Sequence, residues 1–335
     1  MTVNELAGVG GTGTASLGVG VLGAADIARR NAIPALQRCS GLHLAAVASR
    51  DVAKARTLAE EFGCEAVGGY DNLLAREDVR AVYIPLPNSM HEEWSRAALE
   101  AGKHVLVEKS LTVDAKVARE LVETAEAGGL AFMENFTFLF HPQHQTVRDL
   151  VAEGAIGTPQ VLSASLGIPR NNPDLIRYRP ELAGGTLREN GCYPLRAALL
   201  HLDEQLSVVG ARLRMDPETG VDIAGSALLV DGAGVTAQCD FGLAHAYRNT
   251  YALWGSEGRI ELGWAFNPRP ETRPKLRLQR GDSLEERELP AADQFQRMFQ
   301  AFALACANPE AHRHFGADAV RQAVLMEEVL RAASR

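Results

Sequence analysis

The sequence predicts two domains of different classes: an α/β domain with a doubly wound parallel sheet, then an α+β domain on an open, mostly antiparallel sheet. Three observations predict this. The chain has 335 residues, which is too long for one small core. Its first part alternates short apolar runs with helical patterns, as βαβ units do. After about Gly157, strand-like runs mostly follow one another without intervening helical patterns, and several alternate apolar with polar residues.

In the first domain, apolar runs predict buried parallel strands, and the periodic segments between them predict the crossover helices. The predicted strands are 18–23, 42–49, 80–85, 104–108 and 130–135. The predicted helices are 25–38, 51–62, 89–102 and 114–128, with a further helix near 143–153.

In the second domain, period-two alternation predicts a sheet with one covered face. The predicted strands are 159–167, 205–215, 222–230, 234–242, 249–253, 258–262 and 275–280, followed by helices at 292–307 and 317–333. We place the domains at 18–141 and 142–335. They follow a Gly/Thr/Ser-rich segment, 1–17, whose composition predicts a flexible extension.

Composition narrows the class of protein. With 46% hydrophobic and 23% charged residues, the chain resembles a soluble globular protein. The net charge of −8 argues against nucleic acid or an anionic membrane as the main partner. Five cysteines without a C-x-x-C pair suggest free thiols in a reducing compartment. Because no apolar run of membrane-spanning length and no signal peptide is present, we expect a cytoplasmic protein.

The turn after the first predicted strand is the candidate dinucleotide site of a Rossmann domain. Gly18 begins a G-x-G-x-x-G match, but that match lies in the strand itself, whereas the fingerprint should begin where the strand ends. The residues of the turn are Gly23, Ala24, Ala25, Asp26, Ile27 and Ala28. Gly23 serves the tight turn, and the methyl group of Ala25 still permits backbone N–H groups to approach a pyrophosphate.

The end of the second strand indicates which dinucleotide binds. A cofactor without a 2′-phosphate usually meets an acidic residue there. This chain has Ser49 and Arg50, with Lys54 one helical turn later, and a hydroxyl with two cations suits a phosphate. NADP(H) is therefore favoured. Asp51 is the competing detail, and we interpret it as the N-cap of the helix 51–62.

A candidate catalytic lysine follows the fourth strand. The run 104–107 reads as a buried strand, and Glu108-Lys109 at its carboxyl end points into the crevice where open α/β sheets bind ligands. Lys109 can hold a proton or stabilise an oxyanion beside a hydride donor. The alternative is a solvated charge pair that closes the strand.

A second candidate lies in the Gly184–Pro194 segment, whose Gly-Gly start suggests a close approach to another surface. Tyr193 should be protonated at neutral pH, because the usual pKa of tyrosine is about 10, and it is therefore suited to donate a proton in a reduction. The alternative is a packed tyrosine with a satisfied hydroxyl.

Two histidine pairs invite a metal-site interpretation, which we reject. His141 with His144, and His312 with His314, have neither clustered cysteines nor a carboxylate at ligand spacing. We expect no metal. His91, after the turn that ends the third strand, either hydrogen-bonds the cofactor or packs in the first turn of its helix, and the residues alone favour packing.

Taken together, these motifs resemble the glucose–fructose oxidoreductase and inositol dehydrogenase family, from Gly18 to the C-terminus. Within it the chain resembles the NADPH-dependent 3-ketoreductases that act on dTDP-linked 3-keto-6-deoxyhexoses in antibiotic deoxysugar biosynthesis. The residues that carry the resemblance are the turn at Gly23, Tyr83-Ile84-Pro85-Leu86-Pro87-Asn88, Glu108-Lys109, Met133-Glu134-Asn135-Phe136, His141-Pro142-Gln143-His144, Ile176-Arg177-Tyr178, Gly191-Cys192-Tyr193 and His245-Ala246-Tyr247.

The resemblance implies an active site in the cleft of a two-domain protein, a homo-oligomer (dimer or tetramer) formed through the second domain's sheet, and Lys109 and Tyr193 as the catalytic pair. The cofactor contacts expected from the motifs and the resemblance are Gly23, Ala24, Ala25, Asp26, Ile27, Ser49, Arg50, Lys54, Tyr70, Leu86, Asn88, His91, Glu108, Lys109, Asn135, Arg177 and Glu189. The expected substrate contacts are Lys109, Arg177, Tyr178, Tyr193 and Tyr247.

Two residues depart from the family pattern. Ser110 replaces the usual proline of Glu-Lys-Pro, and Glu189 replaces the Asp four residues before the tyrosine. We predict NADPH-dependent reduction of the C3 keto group of a nucleotide-linked deoxysugar, with the proton coming from Tyr193 or Lys109. The alternatives are an NAD(P)-dependent dehydrogenase of a free sugar, cyclitol or dihydrodiol, and a non-catalytic NADP-binding regulator.

Overall fold

A computed structural model describes residues 16–203 and 205–334. The contacts among these residues divide them into two units: unit 1 contains the residues up to Phe136 together with Asp293–Val320, and unit 2 contains Thr137–Ala292 and the residues from Arg321 onward. Residues 293–320 thus group with unit 1, whereas the predicted second domain, 142–335, included them. Most of the predicted extension 1–17 lies outside the described residues, and Leu17 begins the first strand.

Unit 1 is built on a parallel sheet of six strands. They are β1 Leu17–Leu22, β2 Leu42–Ser49, β3 Glu65–Gly68, β4 Ala81–Ile84, β5 His104–Glu108 and β6 Phe132–Asn135. Their order is β3-β2-β1-β4-β5-β6, and every neighbouring pair is parallel. The order reverses between β1 and β4, which places the topological switch point, where such sheets bind ligands, at the carboxyl ends of these two strands. The doubly wound prediction is confirmed.

Helices connect the strands of unit 1. They are α1 Ile33–Gln37, preceded by a π-helical turn at Ala28–Ala32, then α2 Val52–Phe62, α3 Tyr70–Leu74, α4 His91–Glu100 and α5 Ala115–Ala127. Asp51 caps α2, since its Oδ1 accepts a hydrogen bond from the Ala53 amide at 3.0 Å. The predicted capping role of Asp51 is therefore confirmed.

A later helix also belongs to unit 1. It is α8, Gln294–Ala307, and its N-cap Asp293 pairs with Arg38 at 2.6 Å. Phe299 on α8 meets the ring of Tyr83 edge-on, with ring centroids 5.9 Å apart. The helix therefore packs on the sheet that carries the strand ends described below.

Unit 2 is built on a sheet of eight strands. They are β7 Pro159–Gly167, β8 Ser207–Met215, β9 Asp222–Val230, β10 Thr236–Gly242, β11 Arg248–Gly255, β12 Arg259–Gly263, β13 Lys275–Arg280 and β14 Ser283–Glu288. Their order is β14-β13-β12-β11-β7-β10-β9-β8, and only the central pair β7–β10 is parallel. This confirms the predicted mostly antiparallel sheet.

Unit 2 contains the helices α6 Gln143–Ala152 and α7 Cys192–His201. A further helix, α9 His314–Ala333, is divided, since its residues up to Val320 group with unit 1 and those from Arg321 onward with unit 2. A π-helical turn, Leu187–Gly191, leads directly into α7. On β7 and β10, residues at alternate positions such as Leu162, Ala164, Ala237 and Cys239 are fully or almost fully buried. The apolar half of the period-two pattern therefore forms the covered face of the sheet, as predicted.

Several elements were absent from the prediction. The short edge strand β3 was missed because four residues give almost no periodicity, and β14 was missed because four of the six residues in Ser283–Glu288 are charged. Helix α7 was also missed, since its start is masked by Gly191 and Pro194, residues that usually signal turns. Among residues 16–203 and 205–334, no helix is long and apolar enough to cross a membrane.

Candidate active site

The turn after β1 has the conformation that the predicted dinucleotide site requires. Gly23 has a φ of 121°, and a Cβ placed on it would lie 2.9 Å from Leu86 Cδ2. Any other residue would be strained and crowded at this position. Gly23 and Leu86, which follow β1 and β4, thus meet at the topological switch point. Beyond Gly23, the side chains of Asp26 and Ile27 are exposed.

The proposed selectivity residues lie together at the end of β2. Ser49 is buried, and its hydroxyl oxygen accepts a hydrogen bond from the Asp51 amide at 3.2 Å. The backbone joins this end to α3, because the Gly69 amide donates a hydrogen bond to Ser49 O at 3.0 Å. Arg50 hydrogen-bonds the Tyr70 hydroxyl, and although burial raises the pKa of Tyr70, the nearby Arg50 charge acts against that shift.

Trp94 supports the ring of Tyr70. The Tyr70 ring packs edge-on against Trp94, with ring centroids 4.8 Å apart. Lys54 is exposed on α2. The structure therefore brings Ser49, Arg50 and Tyr70 together, with Arg50 exposed to solvent and held by a buried tyrosine.

His91 lies between two turns of the site. It is fully buried, with Nδ1 2.8 Å from Ser110 O and Nε2 2.8 Å from Leu86 O. Both facing atoms are acceptors, and a neutral imidazole can donate to only one of them at a time. His91 therefore ties the turn after β4 to the turn after β5. Asn88, between these points in the chain, is half-buried at the start of a 3₁₀ turn.

The carboxylate of Glu108 is held by the neighbouring strands. The Tyr83 hydroxyl and the Asn135 side-chain amide each donate to Glu108 Oε1 at 2.7 Å. These three residues come from β4, β6 and β5, so the carboxyl ends of the strands converge on one oxygen. Burial raises the pKa of Glu108, and Tyr83, the Lys109 charge and Asn135 act in the opposite direction.

Lys109 follows immediately and is half-buried. The peptide bond between Lys109 and Ser110 is cis. Ser110, where the family pattern has proline, is 1% exposed, and the next amide, Leu111 N, donates to Glu134 Oε1 at 2.7 Å. The turn that carries Lys109 is therefore fixed by His91 on one side of Ser110 and by Glu134 on the other.

In unit 2 the Gly-Gly pair makes the close approach that the sequence predicted. A Cβ on Gly184 would lie 2.7 Å from Arg177 O, and a Cβ on Gly185 would lie 2.1 Å from Asp222 Oδ1. Asp222 in turn accepts a hydrogen bond from the Leu187 amide at 2.7 Å, at the start of the π-helical turn. Burial raises the pKa of Asp222. The two glycines thus seat the segment that leads to Tyr193.

Tyr193 lies in the first turn of α7 and is half-buried. Its ring packs against Phe138 and Phe266, with centroid distances of 5.9 Å and 5.6 Å. Glu189 is four residues earlier, in the π-helical turn, and is also half-buried. Helical spacing places Glu189 and Tyr193 on neighbouring turns of the same face.

The three predicted substrate contacts other than Lys109 and Tyr193 differ in accessibility. Tyr178 is 3% exposed, and its hydroxyl donates to Leu243 O or Asn171 Oδ1, each at 3.2 Å, so it is integrated into the core. Tyr247 is 48% exposed, with its ring 5.6 Å from that of Trp264. Arg177, on the 3₁₀ turn Ile176–Tyr178, is half-buried.

A cavity of about 520 Å³ opens on the sheet of unit 2. It is lined by Ser165, Gly167, Arg212, Arg214, Ala224, Gly225, Ser226, Asp240, Phe241, His245, Ala246 and Arg248. None of the predicted catalytic or binding residues lines it. We therefore do not assign the reaction to this cavity.

Three residues that support the site were not identified from the sequence. Tyr83 was quoted as part of a motif but given no role, although its hydroxyl holds Glu108; its place on a strand next to β5 was the available signal. Phe138 and Phe266 were not considered, because nothing in the local sequence relates them to Tyr193. In the part of the chain that the structure describes, no group of three or more His, Cys, Asp or Glu side chains could hold a metal ion.

Each of the two units matches the model of a known protein family. Residues 17–136 match the model of the GFO/IDH/MocA oxidoreductase family with an NAD-binding Rossmann fold, and residues 144–261 match the model of the GFO/IDH/MocA C-terminal domain. A dTDP-3,4-didehydro-2,6-dideoxy-alpha-D-glucose 3-reductase of Streptomyces violaceoruber is 49% identical, over 95% of this chain and 96% of the relative. An NADP⁺-dependent D-xylose 1-dehydrogenase of Haloferax volcanii is 36% identical, over 88% and 90%.

Among solved structures, the 3-ketoreductase KijD10 of Actinomadura kijaniata in complex with NADP and TDP-benzene superposes with a TM-score of 0.92. It is 45% identical, and the match covers 95% of this chain and 98% of that one. Further matching structures are of KijD10 variants with a tyrosine replaced by phenylalanine or a lysine replaced by alanine. Those two substituted positions are 84 residues apart in KijD10.

Proposed function

The chain belongs to the GFO/IDH/MocA oxidoreductase family, and we propose that it is an NADPH-dependent reductase of the C3 keto group of a dTDP-linked deoxysugar. The observation that carries the proposal is similarity over almost the whole chain to 3-reductases of this class, at 43–49% identity in four relatives. Both the Rossmann unit and the unit with Tyr193 take part in that similarity. The reaction belongs to deoxysugar biosynthesis, as those relatives' substrate implies.

We propose Lys109 and Tyr193 as the catalytic pair. They are separated in this chain by the same 84 residues that separate the lysine and the tyrosine replaced in the KijD10 variants. Reduction of a ketone needs a hydride at carbon and a proton at oxygen. A tyrosine that is protonated at neutral pH can give that proton, and a lysine ammonium can polarise the carbonyl.

The residues at the ends of β1 and β2 fit NADP(H). The backbone after Gly23 leads into a helical turn whose N–H groups suit a pyrophosphate, and Leu86 closes the other side of that turn. Arg50 and Ser49 suit a 2′-phosphate, and Tyr70 orients the guanidinium. When bound, NADPH supplies the hydride for C3. Glu108, held by Tyr83 and Asn135, fixes the turn that presents Lys109.

The test is cofactor consumption with a dTDP-3-keto-6-deoxysugar generated in situ, comparing NADPH with NADH. We expect rapid oxidation of NADPH that depends on the keto-sugar. Turnover only with xylose, a cyclitol or a dihydrodiol, alongside tight NADPH binding, would replace this function with the dehydrogenase alternative.

The roles of the catalytic pair are tested by substitution. Because general acid catalysis contributes about 10²- to 10⁴-fold, replacing the proton donor should lower kcat by about 10²-fold or more. Lys109→Ala and Tyr193→Phe are the variants, and solvent-exposed Lys116→Ala on α5 is the control that should match the unaltered enzyme. Near-normal turnover in both site variants would refute the assignment.

We also propose a cytoplasmic homo-oligomer that pairs through the open face of the unit 2 sheet. Trp254 and Leu228 are 61% and 39% exposed, and strand alternation places both on the face opposite the buried Tyr251 and Leu229. Exposed apolar patches of this kind mark association sites. Light scattering of the unaltered protein and of Trp254→Lys tests this: the variant should have a lower molar mass.

The state of the cysteines supports the cytoplasmic location that we propose. All five are free thiols, as in proteins of a reducing compartment.

A further inference from the structure

Tyr193 rests on a buried pair of phenylalanines. Its ring centroid lies 5.9 Å from that of Phe138 and 5.6 Å from that of Phe266, and both phenylalanines are fully buried. The two phenylalanine rings meet edge to face at 5.3 Å and 89°. Such aromatic contacts have preferred geometries, so the pair limits how the Tyr193 ring can lie. We call Phe138 and Phe266 the aromatic bed.

The aromatic bed is itself held by a hydrogen-bonded pair. The His144 ring meets Phe138 edge-on at 5.2 Å, and the Tyr251 ring lies 6.5 Å from that of Phe266. The Tyr251 hydroxyl and His144 Nδ1 are 2.9 Å apart. Both residues are buried, at 0% and 2% exposure. One hydrogen bond therefore joins the two side chains that support the two halves of the bed.

Both partners of this hydrogen bond stay neutral. Burial, with the charges of His201, His141 and Arg148, lowers the pKa of His144 well below its usual value, and burial raises the pKa of Tyr251 well above its usual value. His144 also hydrogen-bonds the Ala265 backbone. If its Nε2–H donates to that carbonyl, Nδ1 is the acceptor for the Tyr251 hydroxyl hydrogen.

The backbone that carries Phe266 is fixed as well. The buried Gln143 side chain donates to Ala265 O at 3.0 Å, and Asn249 Oδ1 accepts from the Phe266 amide at 2.9 Å. The position of Phe266 thus depends on side chains from both α6 and β11. The histidines of the motif 141–144 were rejected above as metal ligands. Two residues of this motif, Gln143 and His144, instead hold the aromatic bed in place under Tyr193.

We propose that Tyr251 and His144 are positioning residues for Tyr193 and act through the aromatic bed. The proposal rests on the proposed role of Tyr193 as a catalytic residue. Proton transfer depends steeply on donor placement, and a displacement on the ångström scale can cost about 10²-fold in rate. A neutral, buried hydrogen bond suits this task, because it does not change with pH in the working range.

The experiment is Tyr251→Phe, which removes one oxygen and keeps the ring. We expect kcat to fall about 5- to 20-fold, because the Tyr193 ring would no longer be held in one orientation. KM for NADPH and for the keto-sugar should change little, because the surfaces that bind them stay intact. In a Tyr193→Phe background the same substitution should have almost no further effect. Leu278→Ala, on β13 two strands from Tyr251, is the control for a general loss of core packing.

The possible results distinguish the positioning role of Tyr251 from the catalytic role of Tyr193. An unchanged kcat in Tyr251→Phe, or an equal loss in the Tyr193→Phe background, would overturn the positioning role. If Tyr193→Phe alone keeps full activity, the proposed function of Tyr193 fails instead. Should Tyr251→Phe not fold, Phe138→Leu answers the same question, since it removes one half of the bed and keeps the hydrogen bond. In that variant the loss of kcat must again disappear when Tyr193 is phenylalanine.

Discussion

Acid should destabilise this protein through buried histidines, and His201 allows the effect to be worked out. His201 is the last residue of α7, with its ring centroid 4.7 Å from that of Tyr251. Its Nε2 is buried and has no hydrogen-bond partner among residues 16–203 and 205–334. Burial, together with the Arg148 charge, lowers the pKa of His201 from 6.5 to about 3.

The direction in which stability changes with pH follows from the lowered pKa of His201. Below pH 6.5 the unfolded chain binds a proton at His201, whereas the folded chain does not until about pH 3. The unfolded state is therefore favoured progressively as the pH falls through this window. One such histidine removes about 2 kcal/mol of stability between pH 7.5 and pH 5. Because His201 as a residue is only half-buried, this is an upper value, and His144 acts in the same direction.

The assay is equilibrium urea unfolding of the unaltered protein and of His201→Gln at several pH values from 7.5 to 5. The substitution also alters packing, but that shifts the whole curve, whereas the proton effect changes its slope with pH. We expect the variant to lose about 2 kcal/mol less than the unaltered protein over this range. Buried acids such as Asp222 also change stability with pH, but their contribution cancels in this comparison because they are present in both proteins.

The control is Leu195→Ala, which removes buried packing from the same helix α7 without removing a titratable group, so it should shift the whole curve and keep the pH slope of the unaltered protein. Parallel curves for the unaltered protein and His201→Gln would refute the reasoning, since they would show that His201 takes up its proton equally in both states.

The remaining predictions concern a turn and the cofactor. Gly185→Ala should destabilise unit 2 by about 2 kcal/mol or more, because φ is 114° and the new Cβ would collide with Asp222; thermal unfolding measures it. Gly220→Ala, which also has a positive φ but nothing within 4 Å, should cost about half as much, and equal costs would contradict the clash. Arg50→Ala should raise KM for NADPH about tenfold or more and leave KM for NADH unchanged, since a guanidinium–phosphate contact contributes about 1.5–3 kcal/mol. Exposed Arg56→Ala on α2 is its control, and equal effects on both cofactors would argue against 2′-phosphate recognition.

Much of the fold was predictable because it depends on local patterns. The runs at β1, β4 and β5 are buried along almost their whole length, as strands covered on both faces are, and β2 is buried over its second half. The cap at Asp51 follows from a side chain acting on its own neighbours. By contrast, β14 gave no signal, since a charged edge strand looks like a loop until its pairing with β13 is known.

The candidate site divides in the same way. Lys109, Ser49 and Arg50 could be found because each follows a recognisable strand, and parallel strands bring their carboxyl ends to one edge. The contacts of Glu108 with Tyr83 and Asn135 could not, because they join residues 25 and 27 positions away, and their meeting depends on strand order.

By itself, then, the sequence determined the class of each domain, the turn at Gly23 and the residue types that the chemistry needs, since periodicity and turn preferences are properties of neighbouring residues. Only the tertiary structure decided that His91 ties two turns, that α8 belongs to unit 1 and that Tyr193 rests on Phe138 and Phe266. The contacts of Tyr193 join residues 55 and 73 positions apart, and they arise from the packing of whole elements, which no local pattern encodes.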